Sequence, residues 1–215
     1  MIPGSTDSCL IQFAKAPLLG AVKTRLEPTL GKAGCVALHR ALVSWVFSRH
    51  LPVGQVDSEV WSDRKHPFFD ALLTPAGVPF RLQEGADLGQ RMSHAFDDRL
   101  PHYRNVLLIG SDCPGIDVDY ITAALKALQT VPAVLGPARD GGYVLVGLNR
   151  PCPGIFEDVP WGSGRVMEAT RQRLIANRLQ WLELDALADI DRNEDLHYLV
   201  SSVERELFFK KYLTY

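Results

Sequence analysis

The stretch Val106-Leu-Leu-Ile-Gly-Ser-Asp-Cys-Pro114 joins four consecutive aliphatic residues to an abrupt polar ending. An unbroken aliphatic run, bounded by polar residues, is typical of a strand buried on both faces of a mainly parallel sheet. Glycine and proline then end the strand and leave Asp112 at its carboxyl end. An unpaired carboxylate there would be costly, because burial removes its hydration. The stretch therefore predicts both a fold class and a functional loop.

On both sides of this stretch, apolar segments of strand length alternate with amphipathic segments of helical length. This alternation predicts an α/β fold, a three-layer sandwich around a mostly parallel central sheet. No internal repeat or long linker interrupts the pattern, so we interpret residues 1–215 as a single domain. Besides 106–109, strands are predicted at 9–14, 59–61, 80–83, 133–135, 143–148 and 181–184. Helices are predicted at 30–51, 67–73, 87–100, 117–129, 163–179 and 193–207.

Composition and charge exclude several classes of protein. The 215 residues include 23 Lys+Arg and 25 Asp+Glu, a formal net charge of −2, so a general nucleic-acid partner is not expected. No segment approaches the roughly 20 apolar residues of a membrane span. The N-terminus lacks the long apolar core of a signal peptide, so a cytoplasmic protein is expected. Phe208-Phe209 and Tyr212 could form an exposed patch for a homodimer.

The four cysteines form no C-x-x-C pair, which argues against a zinc knuckle or a redox motif. A disulfide framework is also not expected without a secretion signal. We predict buried free thiols at Cys9 and Cys35. Cys113 is a weak candidate nucleophile, because Pro114 follows it directly and no histidine is near in the sequence.

The first predicted strand leads into a basic loop at 15–26. Lys15, Lys23 and Arg25 lie within eleven residues of this loop, and Gly20 permits close approach of the backbone. Arginine offers phosphate a planar fork and lysine a point charge. Ligands of open α/β sheets bind beyond the carboxyl ends of the strands, where this loop is expected. We predict phosphate binding; the alternative is a solvated basic loop. Neither a Walker A loop nor a dinucleotide glycine fingerprint is present.

Acidic residues follow the central strand and recur near the C-terminus. Asp112 is predicted to hold Mg²⁺ or Mn²⁺ that bridges phosphate oxygens. Asp189 and Asp191, in a stretch with four acids in seven residues, are candidates for further metal ligands. The alternatives are that Asp112 caps the next helix and that the late acids are helix caps and dipole partners.

A third loop, at 136–142, separates two predicted strands. Its Asp-Gly-Gly sequence is a turn signal, and a turn alone would explain the glycines. Alternatively, the backbone N–H groups of Gly141 and Gly142 face an acceptor substrate and Asp140 acts on its hydroxyl. In that interpretation Tyr143 and Trp161 form part of the acceptor site.

Four ordered motifs resemble those of a bacterial family of glycosyltransferase-A-type proteins, also described as transferases associated with radical-SAM/selenodomain proteins. The resemblance runs from about residue 9 to about residue 200. Three departures are Ala86 for the family's glycine, Trp161-Gly-Ser-Gly164 for Trp-Ser-Thr, and Arg192-Asn193 for Thr-Pro. The shared motifs are K-A-P-L-L-G-A-V-K-T-R-L at 15–26, Q-E-G-A-D-L-G-Q-R-M at 83–92, G-S-D-C-P at 110–114 and G-P-A-R-D-G-G-Y at 136–143.

The resemblance implies a nucleotide-diphospho-sugar transferase fold, with the nucleotide in the first half of the sheet and a divalent metal at a mid-chain aspartate. The usual glycosyltransferase signature is Asp-x-Asp, whereas Asp112-Cys-Pro114 has a single acid. The nucleotide-binding set is then Lys15, Gly20, Lys23, Arg25, Gln83, Gly85, Asp87, Gly89 and Arg91.

Three functions stay open. The first is a metal-dependent transferase that acts on a nucleotide-diphospho-sugar and a small-molecule acceptor. The second is a nucleotidyltransferase that joins a nucleotide to a small phosphorylated acceptor, and the third is a nucleotide-binding module without turnover. The catalytic candidates are Lys23, Asp112 and Asp140.

Overall fold

A seven-stranded sheet forms the centre of the computed structural model, which describes residues 6–50 and 56–200. The strand order is β3-β2-β1-β4-β6-β5-β7, and β6 alone runs antiparallel to its two neighbours in this sheet. The predicted α/β fold with a mostly parallel sheet is confirmed. The strands are β1 (Ser8–Ala14), β2 (Asp57–Ser62), β3 (Phe80–Leu82), β4 (Asn105–Ile109), β5 (Ala133–Pro137), β6 (Tyr143–Leu148) and β7 (Trp181–Glu183).

Each predicted helix is present in the described residues, with shifted ends. The first begins earlier than predicted and is interrupted at Gly31, whose φ of 65° and ψ of 168° are not helical. Residue 51 and residues 201–207 of the predicted helices, like the patch at Phe208-Phe209 and Tyr212, lie outside the described residues. The helices are α1 (Glu27–His50), α2 (Pro67–Leu73), α3 (Leu88–Arg99), α4 (Val118–Ala127), α5 (Val166–Ala176) and α6 (Leu196–Val200).

Helices cover both faces of the sheet. Residues of α1, α2 and α4 pack on one face, and residues of α3 and α5 pack on the other. Along β4, Leu107 and Ile109 belong to the first apolar layer, whereas Val106 and Leu108 belong to the second. The central strand is therefore buried on both faces, as its sequence predicts. None of the helices in the described part of the chain has the length and apolar character needed to cross a bilayer.

The cysteines behave as small apolar residues. Cys9, Cys35 and Cys113 are fully buried with free thiols, so the prediction for Cys9 and Cys35 is confirmed. Burial, reinforced by the nearby Asp189 carboxylate, raises the pKa of Cys113 to about 12. Because the thiolate is the nucleophilic form, Cys113 is not poised for nucleophilic chemistry.

A chain of buried polar side chains connects α1 to the carboxyl end of β4. The His50 Nε2–H donates to Gln12 Oε1 over 2.8 Å. The Gln12 amide nitrogen donates to Val43 O over 3.1 Å and to Ser111 Oγ over 2.9 Å. The Ser111 hydroxyl in turn donates to Phe13 O over 2.8 Å. This chain fixes the residue directly before Asp112.

His50 makes the stability of the fold sensitive to acid. Burial lowers the pKa of His50 from 6.5 to about 3, so the unfolded chain binds an extra proton between these two values. Stability therefore falls as the pH is lowered through this window. His50→Gln retains a donor for Gln12 but has no group that titrates. Below pH 6.5 we therefore expect its unfolding free energy to fall less steeply with decreasing pH than that of the unmodified protein, with a difference in slope of up to about 1.4 kcal/mol per pH unit. Urea unfolding between pH 7 and pH 4 measures this slope.

The matched control is His102→Gln at an exposed histidine, which should retain the acid dependence of the unmodified protein. Equal slopes for His50→Gln and the unmodified protein would show that His50 is protonated in the fold.

Candidate active site

A cleft of about 680 Å³ lies at the carboxyl ends of β1, β3 and β4. The first loop forms one wall, the segment before α3 another, and the Gly110–Asp112 loop the floor. Strand ends gather at one edge of a sheet, which explains why segments far apart in sequence meet here. Of the residues predicted as functional, those that line the cleft are Lys15, Lys23, Arg25, Gln83, Asp87, Arg91, Asp112 and Asp191.

An ion pair between Lys23 and Asp112 lies inside the cleft. Lys23 Nζ is 2.7 Å from Asp112 Oδ1; the lysine side chain is 2% exposed and the aspartate side chain 44%. The same ammonium donates to Ile190 O over 2.5 Å, and the Ile190 N–H donates to Asp112 O over 2.9 Å. The Cys35 thiol donates a hydrogen bond to Lys23 O over 3.2 Å. The pair therefore connects three segments: the first loop at 15–26, the Gly110–Asp112 loop after β4, and the acidic stretch at 189–195, which we call the late acidic segment.

The charges around Asp112 keep it ionised. Burial raises the pKa of Asp112, but the ammonium groups of Lys23 and Lys15 lower it below its usual range. His39 Nδ1 lies 4.0 Å from Asp112 Oδ1. Burial lowers the pKa of His39, against the opposing effect of Asp112, so this ring is neutral. Asp112 thus presents a negative charge to the cleft at neutral pH.

Asp189 lies in a crowded acidic environment. The pKa of Asp189 is raised to about 8, mainly by burial and further by the negative charges of Asp112 and Asp140. A divalent cation would relieve this repulsion. In the part of the chain that the structure describes, no three His, Cys, Asp or Glu side chains converge as a ready metal cage. The donor set fits Mg²⁺ or Mn²⁺ held by one or two carboxylates plus substrate phosphates, the usual pattern for Mg²⁺.

Asp191, a candidate metal ligand, pairs with a cation of the first loop in this structure. Its carboxylate forms an ion pair with the Arg25 guanidinium at the mouth of the cleft. Beside this pair, Thr29 Oγ1 donates to Asn193 Oδ1 over 3.1 Å. The first loop and the late acidic segment are therefore joined across the cleft.

The first loop ends in a helical turn that faces the cleft. Thr24–Leu26 form a 3₁₀ turn that leads into α1, and Lys23, just before it, has a left-handed φ of 51°. The first N–H groups of a helical turn have no partner within it, and they carry partial positive charge. Thr24 and Arg25 line the cleft. Gly20 lies outside the cleft wall, in a tight part of the loop with a φ of 72°.

The segment before α3 forms the opposite wall. The Gln83 amide donates to Trp61 O over 2.9 Å. Arg91 approaches Gln83 Oε1 at 3.4 Å and donates to Gly85 O over 3.1 Å. Gly85 itself, with a φ of 139°, packs against the first turn of α3 rather than lining the cleft. The Gln83 and Arg91 side chains line the cleft, and these hydrogen bonds fix their positions in its wall.

Asp87 and Gly89 have structural roles in this segment. Asp87 caps α3, because its side chain accepts the Gln90 N–H over 2.8 Å. Gly89 is buried under the loop that precedes α5, where a Cβ would lie 2.6 Å from Phe156 O and 2.8 Å from Trp161 Nε1. Close packing thus accounts for Gly89, and the structure does not place it in the cleft wall.

The Asp-Gly-Gly turn packs against the N-terminus of α5. Asp140 Oδ1 accepts the Gly142 N–H over 2.9 Å, as expected of a turn. Gly141 has a φ of 91°, and a Cβ there would lie 2.2 Å from Gly164 O. Its carbonyl accepts the Met167 N–H over 2.9 Å. The turn interpretation therefore accounts for both glycines, while Asp140 remains exposed.

Tyr143 and Trp161 pack against each other under α3. Their ring centroids are 6.1 Å apart at an interplanar angle of 88°. The Tyr143 hydroxyl lies 4.0 Å from Met92 Sδ, and burial raises the pKa of Tyr143. Neither residue lines the cleft described above.

Helix capping was the alternative role for Asp112 and for the acids near the C-terminus. Asp117, not Asp112, caps α4, because its side chain accepts the Tyr120 N–H over 2.9 Å. Asp195 does act as a cap, accepting the backbone N–H groups of Asp191 and Arg192.

His39 and Asp63 were not predicted from the sequence as functional residues. His39 lines the cleft from α1, and Asp63, just after β2, accepts the Ala16 N–H over 2.7 Å. His39 could have been found, because it is a polar residue on the buried face of an amphipathic helix and such a residue needs a hydrogen-bond partner. Asp63 lies in a loop and has no comparable signal in the sequence.

Comparisons with known proteins identify the family and the fold. A family described as "Uncharacterized protein conserved in bacteria (DUF2064)" matches residues 48–163. The chain belongs to this family. The resemblance to a bacterial family with a nucleotide-diphospho-sugar transferase fold is thereby confirmed. No curated protein matches the chain.

Solved structures extend the comparison of this DUF2064 chain. A protein from Desulfovibrio desulfuricans G20, described as a candidate nucleotide-diphospho-sugar transferase, is 31% identical with a TM-score of 0.86, over 96% of this chain and 91% of that chain. A 4-diphosphocytidyl-2C-methyl-D-erythritol synthase from Anaerococcus prevotii is 13% identical (TM-score 0.61, 92% and 95% covered). A CMP:2-keto-3-deoxy-manno-octonic acid synthetase in complex with CTP is 11% identical (TM-score 0.58, 94% and 100% covered). The last two likenesses show the fold alone.

Gly89→Ala separates a packing role from a nucleotide-binding role. The added methyl group would overlap Phe156 O and Trp161, so we expect a loss of about 1–3 kcal/mol in unfolding free energy. Urea unfolding measures this loss. The control is Gly115→Ala, where the nearest neighbour of the new methyl group is 3.5 Å away and stability should stay within about 0.5 kcal/mol. Unchanged stability with weakened nucleotide binding in Gly89→Ala would contradict the packing role.

Proposed function

We propose that the protein is a metal-dependent transferase that acts on a nucleotide-diphospho-sugar. The observation that carries the proposal is the Lys23–Asp112 pair, which brings a basic loop and an acidic group together at the carboxyl edge of the sheet. The relative from Desulfovibrio, similar over nearly the whole chain, supports the same class of substrate.

Phosphate binding is assigned to the first loop. Lys15, Lys23 and Arg25 all line the cleft, together with Thr24 at the start of the helical turn. Lysine and arginine side chains are strong donors to phosphate oxygens. Cleft-lining charges number four basic residues, Lys15, Lys23, Arg25 and Arg91, against three acidic residues, Asp87, Asp112 and Asp191.

Gln83 and Arg91 are assigned to the nucleoside. Both project from the wall that faces the first loop, and the cleft volume lies in the usual range of small-molecule sites. Gly85 shapes this wall by allowing the chain to fold tightly over α3.

Asp112 is assigned as the main metal ligand, helped by Asp189 or Asp191. A bound Mg²⁺ or Mn²⁺ supplies positive charge next to the phosphate oxygens. Asp112 is ionised and partly exposed, and Lys23 holds it in place from the buried side. Asp191 is available only where its ion pair with Arg25 opens.

Asp140 is assigned to the acceptor. Its exposed carboxylate lies close enough to Asp189 to raise the pKa of that residue, so it borders the same acidic region. A carboxylate there is suited to take the proton of an acceptor hydroxyl. Gly141 and Gly142 hold Asp140 in its turn.

Nucleotidyl transfer is the second candidate. The single acid of Asp112-Cys113-Pro114, in place of Asp-x-Asp, favours it. A panel of nucleotide-sugars and nucleoside triphosphates, incubated with Mn²⁺ and analysed by chromatography, distinguishes the candidates. We expect release of a nucleoside diphosphate; pyrophosphate with a new nucleotide adduct would support nucleotidyl transfer instead. Metal-dependent binding without any product would contradict the enzyme and support a binding module.

Asp112→Asn tests the metal assignment. The amide keeps the shape of the side chain but loses its charge, so we expect metal-dependent nucleotide binding, measured by calorimetry, to weaken at least about tenfold. Because the change also leaves the buried Lys23 ammonium without its charged partner, we expect a loss of unfolding free energy, and binding is measured at a temperature at which circular dichroism shows the variant to be folded. Asp158→Asn is the control, because Asp158 is an exposed carboxylate paired with Arg173. If Asp112→Asn binds as tightly as the unmodified protein, the metal is elsewhere.

A further inference from the structure

The peptide group between Lys15 and Ala16 is held from both sides by side chains of other segments. Asp63 Oδ1 accepts the Ala16 N–H over 2.7 Å. His39 Nε2 lies 2.9 Å from Lys15 O. A carbonyl oxygen only accepts, so Nε2 carries the hydrogen of the neutral ring. Both polar atoms of this peptide group therefore have a dedicated partner.

This peptide group is the start of the phosphate-binding loop. β1 ends at Ala14, and Lys15 is the first loop residue that lines the cleft. Ala16 O accepts the Leu18 N–H over 2.8 Å, and Leu18 O accepts the Ala21 N–H over 3.1 Å. The following residues thus fold back on Ala16, so the orientation of this peptide group determines the path of the loop.

His39 also faces the acidic side of the cleft. Its side chain is buried on α1, with Nδ1 4.0 Å from Asp112 Oδ1 and Nε2 on the first loop. The distance of 4.0 Å is too long for a hydrogen bond, so the ring is held by its bond to Lys15 O and lies between Lys15 and Asp112. The two groups that it separates are the ones assigned to phosphate and to metal.

Asp63 is unsuited to contact a phosphate itself. Burial raises the pKa of Asp63, but the Ala16 N–H and the Arg64 guanidinium lower it below its usual range, so the side chain is a carboxylate. Its charge would repel phosphate, and it does not line the cleft. Its contact with Ala16 is a charge-assisted hydrogen bond, which is stronger than a neutral one.

We propose that His39 and Asp63 are positioning residues for nucleotide binding, which hold the Lys15–Ala16 peptide group so that the first loop presents its cations to the phosphates. This inference rests on the proposed function. It predicts that the two side chains act on affinity as one unit, because they fix the same peptide group.

A double-mutant cycle tests the inference. His39→Leu and Asp63→Leu each remove one hydrogen bond to the Lys15–Ala16 peptide group, and the double variant removes both. His39→Gln and Asp63→Asn are conservative variants, because an amide nitrogen can replace Nε2 and an amide oxygen can accept the Ala16 N–H. The dissociation constants of UDP-glucose and CTP, each with MnCl₂, are measured by calorimetry on variants shown by circular dichroism to be folded.

Each leucine variant should bind about tenfold more weakly, and each amide variant within about threefold of the unmodified protein. The double variant should bind about as weakly as the leucine single variants rather than about a hundredfold more weakly, because coupled residues are not additive. Arg64→Ala is the control: it removes the ion pair of Asp63 but leaves the hydrogen bond to Ala16 in place, so affinity should stay within about twofold.

Hydrogen exchange of residues 14–21, without nucleotide, gives a second readout. Exchange should accelerate in the leucine variants and stay slow in the amide variants. Leucine variants that retain full affinity, additive losses in the double variant, or amide variants as weak as the leucine ones would overturn the inference alone. Absence of binding by the unmodified protein, to either probe, would overturn the proposed function and this inference with it.

Discussion

The ion pair between Lys23 and Asp112 is the interaction on which the rest of the cleft depends. A lysine ammonium that is 2% exposed needs a charged partner, because a buried unpaired charge is strongly destabilising. Asp112 can serve as that partner only because β4 ends there, with Ser111 fixed by the buried chain that runs through Gln12. The pair therefore forces the first loop to close over the end of β4. Ile190, bonded to both residues, brings the late acidic segment into the same place.

The near-neutral net charge of the chain conceals a concentration of charged groups in one cleft. The whole chain sums to −2, yet its basic and acidic groups are paired across one cleft, Lys23 with Asp112 and Arg25 with Asp191. Pairing keeps the loops closed, and the remaining cations make the wall slightly basic. An anionic ligand is attracted to such a wall, while the carboxylates remain available for a divalent cation. The same geometry thus serves folding and ligand binding.

Local patterns predicted the fold because each strand carries its own signature. The aliphatic run at 106–109 and the polar residues after it predict a buried strand with Asp112 at its end, and the structure shows both. The edge-of-sheet rule brings Lys15, Gln83 and Asp112 to one cleft. The antiparallel direction of β6 is encoded in the Asp-Gly-Gly turn rather than in the strand itself, because two strands joined by so short a turn run antiparallel.

Roles that depend on a distant neighbour could not be predicted. Gly89 was predicted to belong to the nucleotide site, but glycine is needed there because Phe156 and Trp161 pack directly against it. No pattern in the neighbouring sequence indicates this contact. His39 and Asp63 were missed because their partners are backbone atoms of one peptide group. A crystal soaked with CTP and MnCl₂ shows whether this cleft binds a nucleotide and a metal. We expect phosphates in contact with the first loop and an anomalous manganese peak beside Asp112; phosphates bound elsewhere, with this cleft empty, would contradict the proposed site.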